Sequence, residues 1–283
     1  MYKIGIRART RMAEGLKQLL PVIATAKARD VNEANTVTII TDAFEKIFGY
    51  DRYNEITAEY KIRSTYCDLA IKMNGNIQFL IEVKAIGIDL KSHHARQAVD
   101  YGSRAGVEWV ILTNGVVWDI YRIIIKKSVD FQKISSFNLM ALDHHKDASF
   151  IALYPLCREG IKNNAILTLA NHHKVMNQYS VSALLLSPPV LRRLRIEANK
   201  IFKEIAVTNG SVTEVDEKDI KQLLLQDIIK RAITDSDELD IAKSFLSRTY
   251  RKIEKRKSKE LNKQPPTNPV SNLVPKIVDL DLY

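Results

Sequence analysis

Two Asn-Gly dipeptides, each set between runs of strand character, constrain the fold of this chain more than any other feature. Asn74-Gly75 separates "TYCDLAIKM" from "IQFLIEVKA", and Asn114-Gly115 separates "VEWVILT" from "VVWDIYRI". Asn and Gly adopt the positive φ angles that a tight hairpin turn of the right twist requires, so each pair of runs predicts an antiparallel hairpin. "EITAEYKIR" supplies a further strand ahead of the first hairpin, and "HHARQAVDYGSRAG" between the two has the small, polar texture of a short helix closed by glycine. Upstream, Val37, Ile40, Ala43, Phe44 and Ile47 recur at helical spacing, which predicts a helix from Asp30 to Phe48 with Gly49 at its stop. The order is helix, three strands, helix, two strands. A helix between strands is the usual crossover of parallel pairing, so the expected fold is α/β, a mixed sheet with helices packed on it.

Beyond about Ser135 the strand signals fade. "ILTLANHHKVMNQYSVSALLL", "PPVLRRLRIEANKIFKEIA", "VDEKDIKQLLLQDIIKRAI" and "SDELDIAKSFLSRTYRKIEKRKSKE" read as helices, with starts marked by Ser187 before Pro188, by Asp216 and by Ser236. After Lys263, "QPPTNPVSN" reads as an extended linker leading to a short apolar and acidic end. The expected organisation is an α/β domain over 1–134, an α-helical domain over 135–263 and an extended tail over 264–283.

A chain of 283 residues, 46% hydrophobic and 27% charged, is long enough to bury a core and to divide into two domains. The early run "GLKQLLPVIATAKA" follows several arginines, but Lys17 and Gln18 interrupt its apolar part, which argues against a signal peptide. No stretch has the apolar length of a membrane span, and two cysteines, Cys67 and Cys157, give no disulfide framework, so a cytoplasmic protein is expected. The formal net charge of +10 favours a polyanionic partner such as nucleic acid.

Asp68, Glu82 and Lys84 stand in runs that are otherwise strongly apolar. Strand cores do not carry three charges unless these are paired, solvated or bound to something. Either they lie on a wet face, where such pairs contribute little stability, or they form a site. Glu82 and Lys84 project from one face of their strand and Val83 from the other. Counted outward from the Asn74-Gly75 turn, Asp68 and Glu82 lie at comparable distances, so the hairpin can bring the two carboxylates together. Adjacent carboxylates repel unless a cation sits between them, and hard oxygen ligands suit magnesium.

The helix, the Asp68 strand, the Glu82-Val83-Lys84 strand and the next helix resemble the PD-(D/E)xK nuclease superfamily, the restriction-endonuclease-like core. Within it, "NEANTVTIITDAFEKIFGYD", "AEYKI", "CDLAI", "IEVKA", "RQAVDYG" and "VILTNGVVWDIY", in that order, are similar to the N-terminal nuclease domain of type I restriction enzyme R subunits. The resemblance implies that Asp68 and Glu82 bind Mg2+ together with the carbonyl of Val83, Mn2+ substituting, and that Lys84 assists the attacking water. Glu33, in "VNEANT", matches the first-helix acid that completes such sites, with Glu59 a rival for that place. Gln97 and Tyr101 match the QxxxY element that organises the active site and DNA. Cys67 stands where the family name has proline.

The activity so implied is metal-dependent hydrolysis of DNA phosphodiester bonds in restriction or phage defence, with a homodimer suited to cutting both strands. The sequence contains no GxxxxGK[ST] phosphate loop, so no ATP-driven motor is expected in this chain. Two readings stand beside the enzyme: an idle nuclease-fold module that binds DNA or a partner, and an assembly protein working through its helical half. The histidines occur as adjacent pairs, His93-His94, His144-His145 and His172-His173, and adjacent residues on a helix diverge, which is poor chelating geometry. His93 and His94 precede Gln97 and are candidates for phosphate contact.

Overall fold

The computed structural model describes residues 2–62, 65–125, 129–205 and 214–261, so the tail expected over 264–283 lies outside the described residues. The chain divides into two compact units, Met1–Val175 and Met176–Tyr283.

In the first unit, α1 (Ile6–Ala28) and α2 (Glu33–Lys46) precede β1 (Ile56–Ile62), β2 (Thr65–Met73) and β3 (Asn76–Val83). Then come α3 (Ser92–Ala105), β4 (Trp109–Thr113), β5 (Val117–Ile125) and β6 (Val129–Asn138). The six strands form one sheet in sequence order, with β3 and β4 parallel across the α3 crossover and the other neighbours antiparallel. The α/β class and the mixed sheet are as expected. Both Asn-Gly hairpins form, with Asn74 at φ 52°, Gly75 at φ 78° and Gly115 at φ 82°.

Two elements go beyond the sequence expectation. In α1 the buried Ala8, Met12, Leu16, Leu19 and Ile23 follow the helical period, and the Lys17 and Gln18 that interrupt the apolar run are its solvent side. Strand β6 adds a sixth member to the sheet, and its mostly solvated, polar composition is what hid it.

One face of the sheet buries Leu69, Ile71, Phe79, Ile81, Ile111 and Trp118 under α1 and α2. The other buries Leu80, Val110, Leu112 and Ile123 under Ala95, Ala98 and Val99 of α3. Gly102 lets α3 sit close, since a Cβ there would come within 2.4 Å of Ile123 Cδ1 and 2.5 Å of Val110 Cγ1.

The domain boundary expected at 134/135 is corrected to 175/176. The physical reason is burial: α4 (Asp147–Leu153), α5 (Arg158–Lys162) and α6 (Ala165–Val175) belong to the first unit, and Phe150, Leu153, Leu156, Cys157 and Ile166 join its core. Arg158 Nε donates to both carboxylate oxygens of Glu55 at 2.8 and 2.9 Å, tying α5 to the segment before β1.

The second unit is helical among the described residues. It contains α7 (Gln178–Leu185), α8 (Pro188–Ile205), α9 (Glu217–Leu223) continued by a π-helical turn at Leu224–Ile228, α10 (Arg231–Thr234) and α11 (Asp237–Leu261). The single helix expected through "ILTLANHHKVMNQYSVSALLL" breaks before Asn177, whose side chain caps α7 by accepting from the Ser180 N–H at 2.9 Å. Leu239, Ala242 and Leu246 of α11 pack with Ala183 of α7 into a small core. No helix among the described residues is long and apolar enough to cross a membrane.

Candidate active site

The first hairpin sets the register of the site. Met73 pairs with Asn76 and Lys72 with Ile77, but Ile71 pairs with Phe79, so Gln78 is an extra residue in β3. Without that bulge the next partner of Asp68 is Ile81, on the wrong face. With it the ladder ends at the Leu69–Ile81 pair, and Asp68 and Glu82 are the next residues on their strands. Here β2 leaves the ladder. The Val83 N–H is taken at 2.7 Å by the Asp68 carboxylate, and the Cys67 thiol donates to Ile81 O at 3.1 Å.

Glu82 is buried, 3% exposed, and Lys84 Nζ donates to its Oε1 at 2.5 Å. The Lys84 N–H continues the parallel ladder by donating to Thr113 O at 2.9 Å, which fixes the lysine at the end of β3. Its Nζ lies 3.9 Å from Glu33 Oε2. Glu33 opens α2, whose N-cap Asn32 accepts from the Asn35 N–H at 3.0 Å, so the capping geometry that starts the helix also presents its first acid. Val83 is fully buried on the opposite face of the sheet.

The environment raises all three central groups. Burial pushes the Glu82 carboxyl up to about 7, with the Asp68 charge adding to the effect and the Lys84 hydrogen bond opposing it. Burial raises the Asp68 carboxyl too, offset by the Val83 N–H and reinforced by Glu33 and Glu59. For Lys84, burial works against the charge and is outweighed by the Glu82 hydrogen bond and the surrounding carboxylates, so its value is raised. Burial, with Glu82 and Asp68 nearby, pushes the Cys67 thiol up to about 12, which makes it a packing residue rather than a nucleophile.

The remaining candidates fall around this centre. Glu59, at φ 46°, lies between the Ala58–Leu69 and Tyr60–Cys67 pairs and so opposite Asp68. Gln97 and Tyr101 share one flank of α3 and bond each other, Gln97 Nε2 donating to Tyr101 Oη at 3.1 Å. Gln97 is exposed, and Tyr101 is half-buried against the core beneath α3. His94, in the first turn of α3, is lowered by burial and then by His93 and Lys84, which puts it within the field of the site.

Two carboxylates and a backbone carbonyl are hard oxygen donors of the kind that suits a magnesium ion. In the present arrangement Lys84 is the cation paired with Glu82, while Asp68 accepts from the Val83 N–H. Among the described residues, the one set of three acidic, His or Cys side chains with ligand atoms within 4.8 Å of one another is Asp143, His144 and His145, so Glu33, Asp68 and Glu82 do not converge to that degree. The His144-His145 pair sits in a turn, where its ring centroids approach to 4.0 Å. Asp143 is committed there as a turn former, its Oδ1 accepting from the His145 N–H at 2.9 Å.

Sequence reasoning missed a second charged cluster on the sheet. Leu112 is flanked by Glu82 on β3 and Asp119 on β5, and the buried Asp119 accepts from Lys133 Nζ at 2.8 Å and from the Tyr121 hydroxyl at 3.2 Å. Lys133 comes from β6, the strand whose pattern gave no signal. A polar cavity of about 450 Å³ near Arg11 and Arg158 lies apart from these groups, and its guanidinia are held by Glu159 and Glu55.

The fold and this arrangement define an α/β domain built around a carboxylate-lysine centre at the end of a hairpin. Residues 43–137 match the family described as the type I restriction enzyme R protein N terminus, so over that span the chain is similar to the N-terminal domain of type I R subunits. The matched span holds Asp68, Glu82, Lys84, Gln97 and Tyr101 and leaves out Glu33. Neither curated proteins nor solved structures give a match.

Proposed function

We propose that residues 1–175 form a metal-dependent nuclease of the PD-(D/E)xK type that hydrolyses DNA phosphodiester bonds, in the setting of restriction or phage defence. The observation that carries the reading is the Asp68, Glu82 and Lys84 cluster, assembled by a bulged hairpin within the span that matches a restriction-enzyme domain. Asp68, Glu82 and the Val83 carbonyl are the groups that would hold Mg2+ or Mn2+, with Glu33 closing the site. When bound, that ion supplies Lewis-acid stabilisation of the departing oxyanion and acidifies a bound water.

The chain's own groups do the rest. Lys84, anchored on Glu82, presents an ammonium toward the attacking water and the negative charge on the phosphoryl oxygens. Glu82, buried and hydrogen-bonded to Lys84, holds that ammonium in place beside the reacting water. Gln97 and Tyr101 form a hydrogen-bonded pair on the α3 flank suited to steering the sugar-phosphate backbone. The nucleophile is water, so no organic cofactor is needed. A homodimer would address both strands of a duplex, and a cytoplasmic location goes with a DNA substrate.

One observation favours the idle nuclease-fold module instead: Lys84 already neutralises Glu82, and the three acids do not converge within 4.8 Å. Titration of the protein with Mg2+ by calorimetry, on wild type and Asp68→Asn, separates the two. Saturable binding that the variant loses supports the enzyme, and absence of binding in the wild type supports the module.

A further inference from the structure

Helix α11 carries a feature the nuclease reading does not use. Its first half packs on α7 through Leu239, Ala242 and Leu246. From Arg251 to Lys259 every side chain is exposed. Arg248, Arg251, Lys252, Lys255 and Lys259 follow the spacing i, i+3, i+4, i+7 and i+11, which places all five within an arc of about 100° along roughly 16 Å of helix. That arc lies on the back of the helix relative to Ala242 and Leu246, while Glu254, the one acid within this stretch, falls outside it.

The five cations are unpaired among the described residues, and Arg248 is bonded only to its own helix, at Ser244 O. By contrast Arg193, Arg195, Lys200, Lys203, Arg231 and Lys243 of the same unit each lie within 4.0 Å of a carboxylate. Cations in the last turn of a helix are favoured by its dipole, but that effect fades within one turn and does not reach Arg248, Arg251, Lys252 or Lys255. The stripe contains no aromatic residue to stack on an unpaired base, so its chemistry is that of a backbone contact and not of a single-strand platform.

We propose that this face of α11 is a clamp for the phosphate backbone of duplex DNA. A duplex presents about one negative charge per 3.4 Å of axis on each strand, so roughly 16 Å of stripe runs beside about five phosphate charges of one strand, on the order of the five cations. The clamp binds without reading sequence, since phosphate contacts position a protein and base edges specify it. It rests on the nuclease reading only for the identity of the polyanion.

The test is the salt dependence of binding of the full chain to a DNA duplex of about 30 base pairs in EDTA, measured by fluorescence anisotropy from about 50 to about 200 mM salt. The variant is Arg251→Gln/Lys252→Gln/Lys255→Gln, which keeps helix-forming residues, with circular dichroism to confirm the helix. Three lost phosphate contacts flatten the slope of log K against log salt by about 2.7, so wild type loses roughly 40-fold more affinity than the variant over that range. A control, Arg193→Gln/Lys200→Gln/Lys203→Gln, removes the same charge from cations that already have partners and leaves the slope closer to wild type. An unchanged slope in the stripe variant, an equal change in the control, or tighter binding to a single strand, an RNA duplex or an acidic peptide each overturns the clamp. EDTA suppresses metal-dependent cutting, so failure here leaves the nuclease reading standing, and absence of cleavage with the slope change intact overturns only the nuclease.

Discussion

Replacing Glu82 with glutamine tests whether the site holds a carboxylate in a desolvated place. The folded protein keeps this proton up to about 7, whereas an unfolded chain releases it near the ordinary 4.5. Between those values the native state binds more protons than the unfolded one, so stability falls as pH rises through the window. Below it both states are protonated and the effect vanishes; above it the full penalty stands, at most about 3 kcal/mol. Asp68 is raised as well and contributes with the same sign. Lys84 is also raised, above the ordinary 10.5, so its contribution is constant in this range and is lost only at higher pH. Glu82→Gln cannot titrate and removes the Glu82 part. Thermal melts in EDTA across pH 4.5 to 7.5 are therefore expected to show wild type losing stability relative to the variant, by up to about 6–12 °C for a unit of this size. A difference that is flat with pH, or that rises, would refute the desolvated carboxylate.

Further outcomes follow from particular contacts. Gly102→Ala is expected to destabilise the first unit by about 1–3 kcal/mol despite the better helix propensity of alanine, because its Cβ meets Ile123 and Val110, and a chemical denaturation curve reads the change. A chain ended after residue 134 loses the core contributions of Phe150, Leu153 and Ile166 and is expected to aggregate, whereas one ended after residue 175 gives a single cooperative transition, both seen by size-exclusion chromatography and melting. Gln97→Ala and Tyr101→Phe are expected to slow DNA cleavage with little change in melting temperature; a normal rate in both removes α3 from the site.

Much of the fold was legible where the signal was local. Asn74-Gly75, the helical spacing of Val37 to Ile47 and the glycine after α3 each act within a few residues, and the structure follows them. What the sequence hid depends on distant partners. Strand β6 is an edge strand with mixed burial, so its alternation is faint, and α4 to α6 are short helices whose apolar residues make sense only against the core of the α/β unit. The candidate site shows the same division. The residue types Asp68, Glu82 and Lys84 stood out as charges in apolar strands, but their common face depends on the bulge at Gln78, which no local pattern announced. Asp119 and Lys133 meet across β5 and β6 and could not be paired before the sixth strand was known.

The most direct measurement is cleavage of circular and linear DNA by the purified protein with Mg2+ or Mn2+, beside Glu82→Ala and Lys84→Ala. Metal-dependent cutting that both variants lose is the expected result and ties the chemistry to the end of β3. DNA binding without cutting under any of these conditions, or cutting that survives both substitutions, contradicts it.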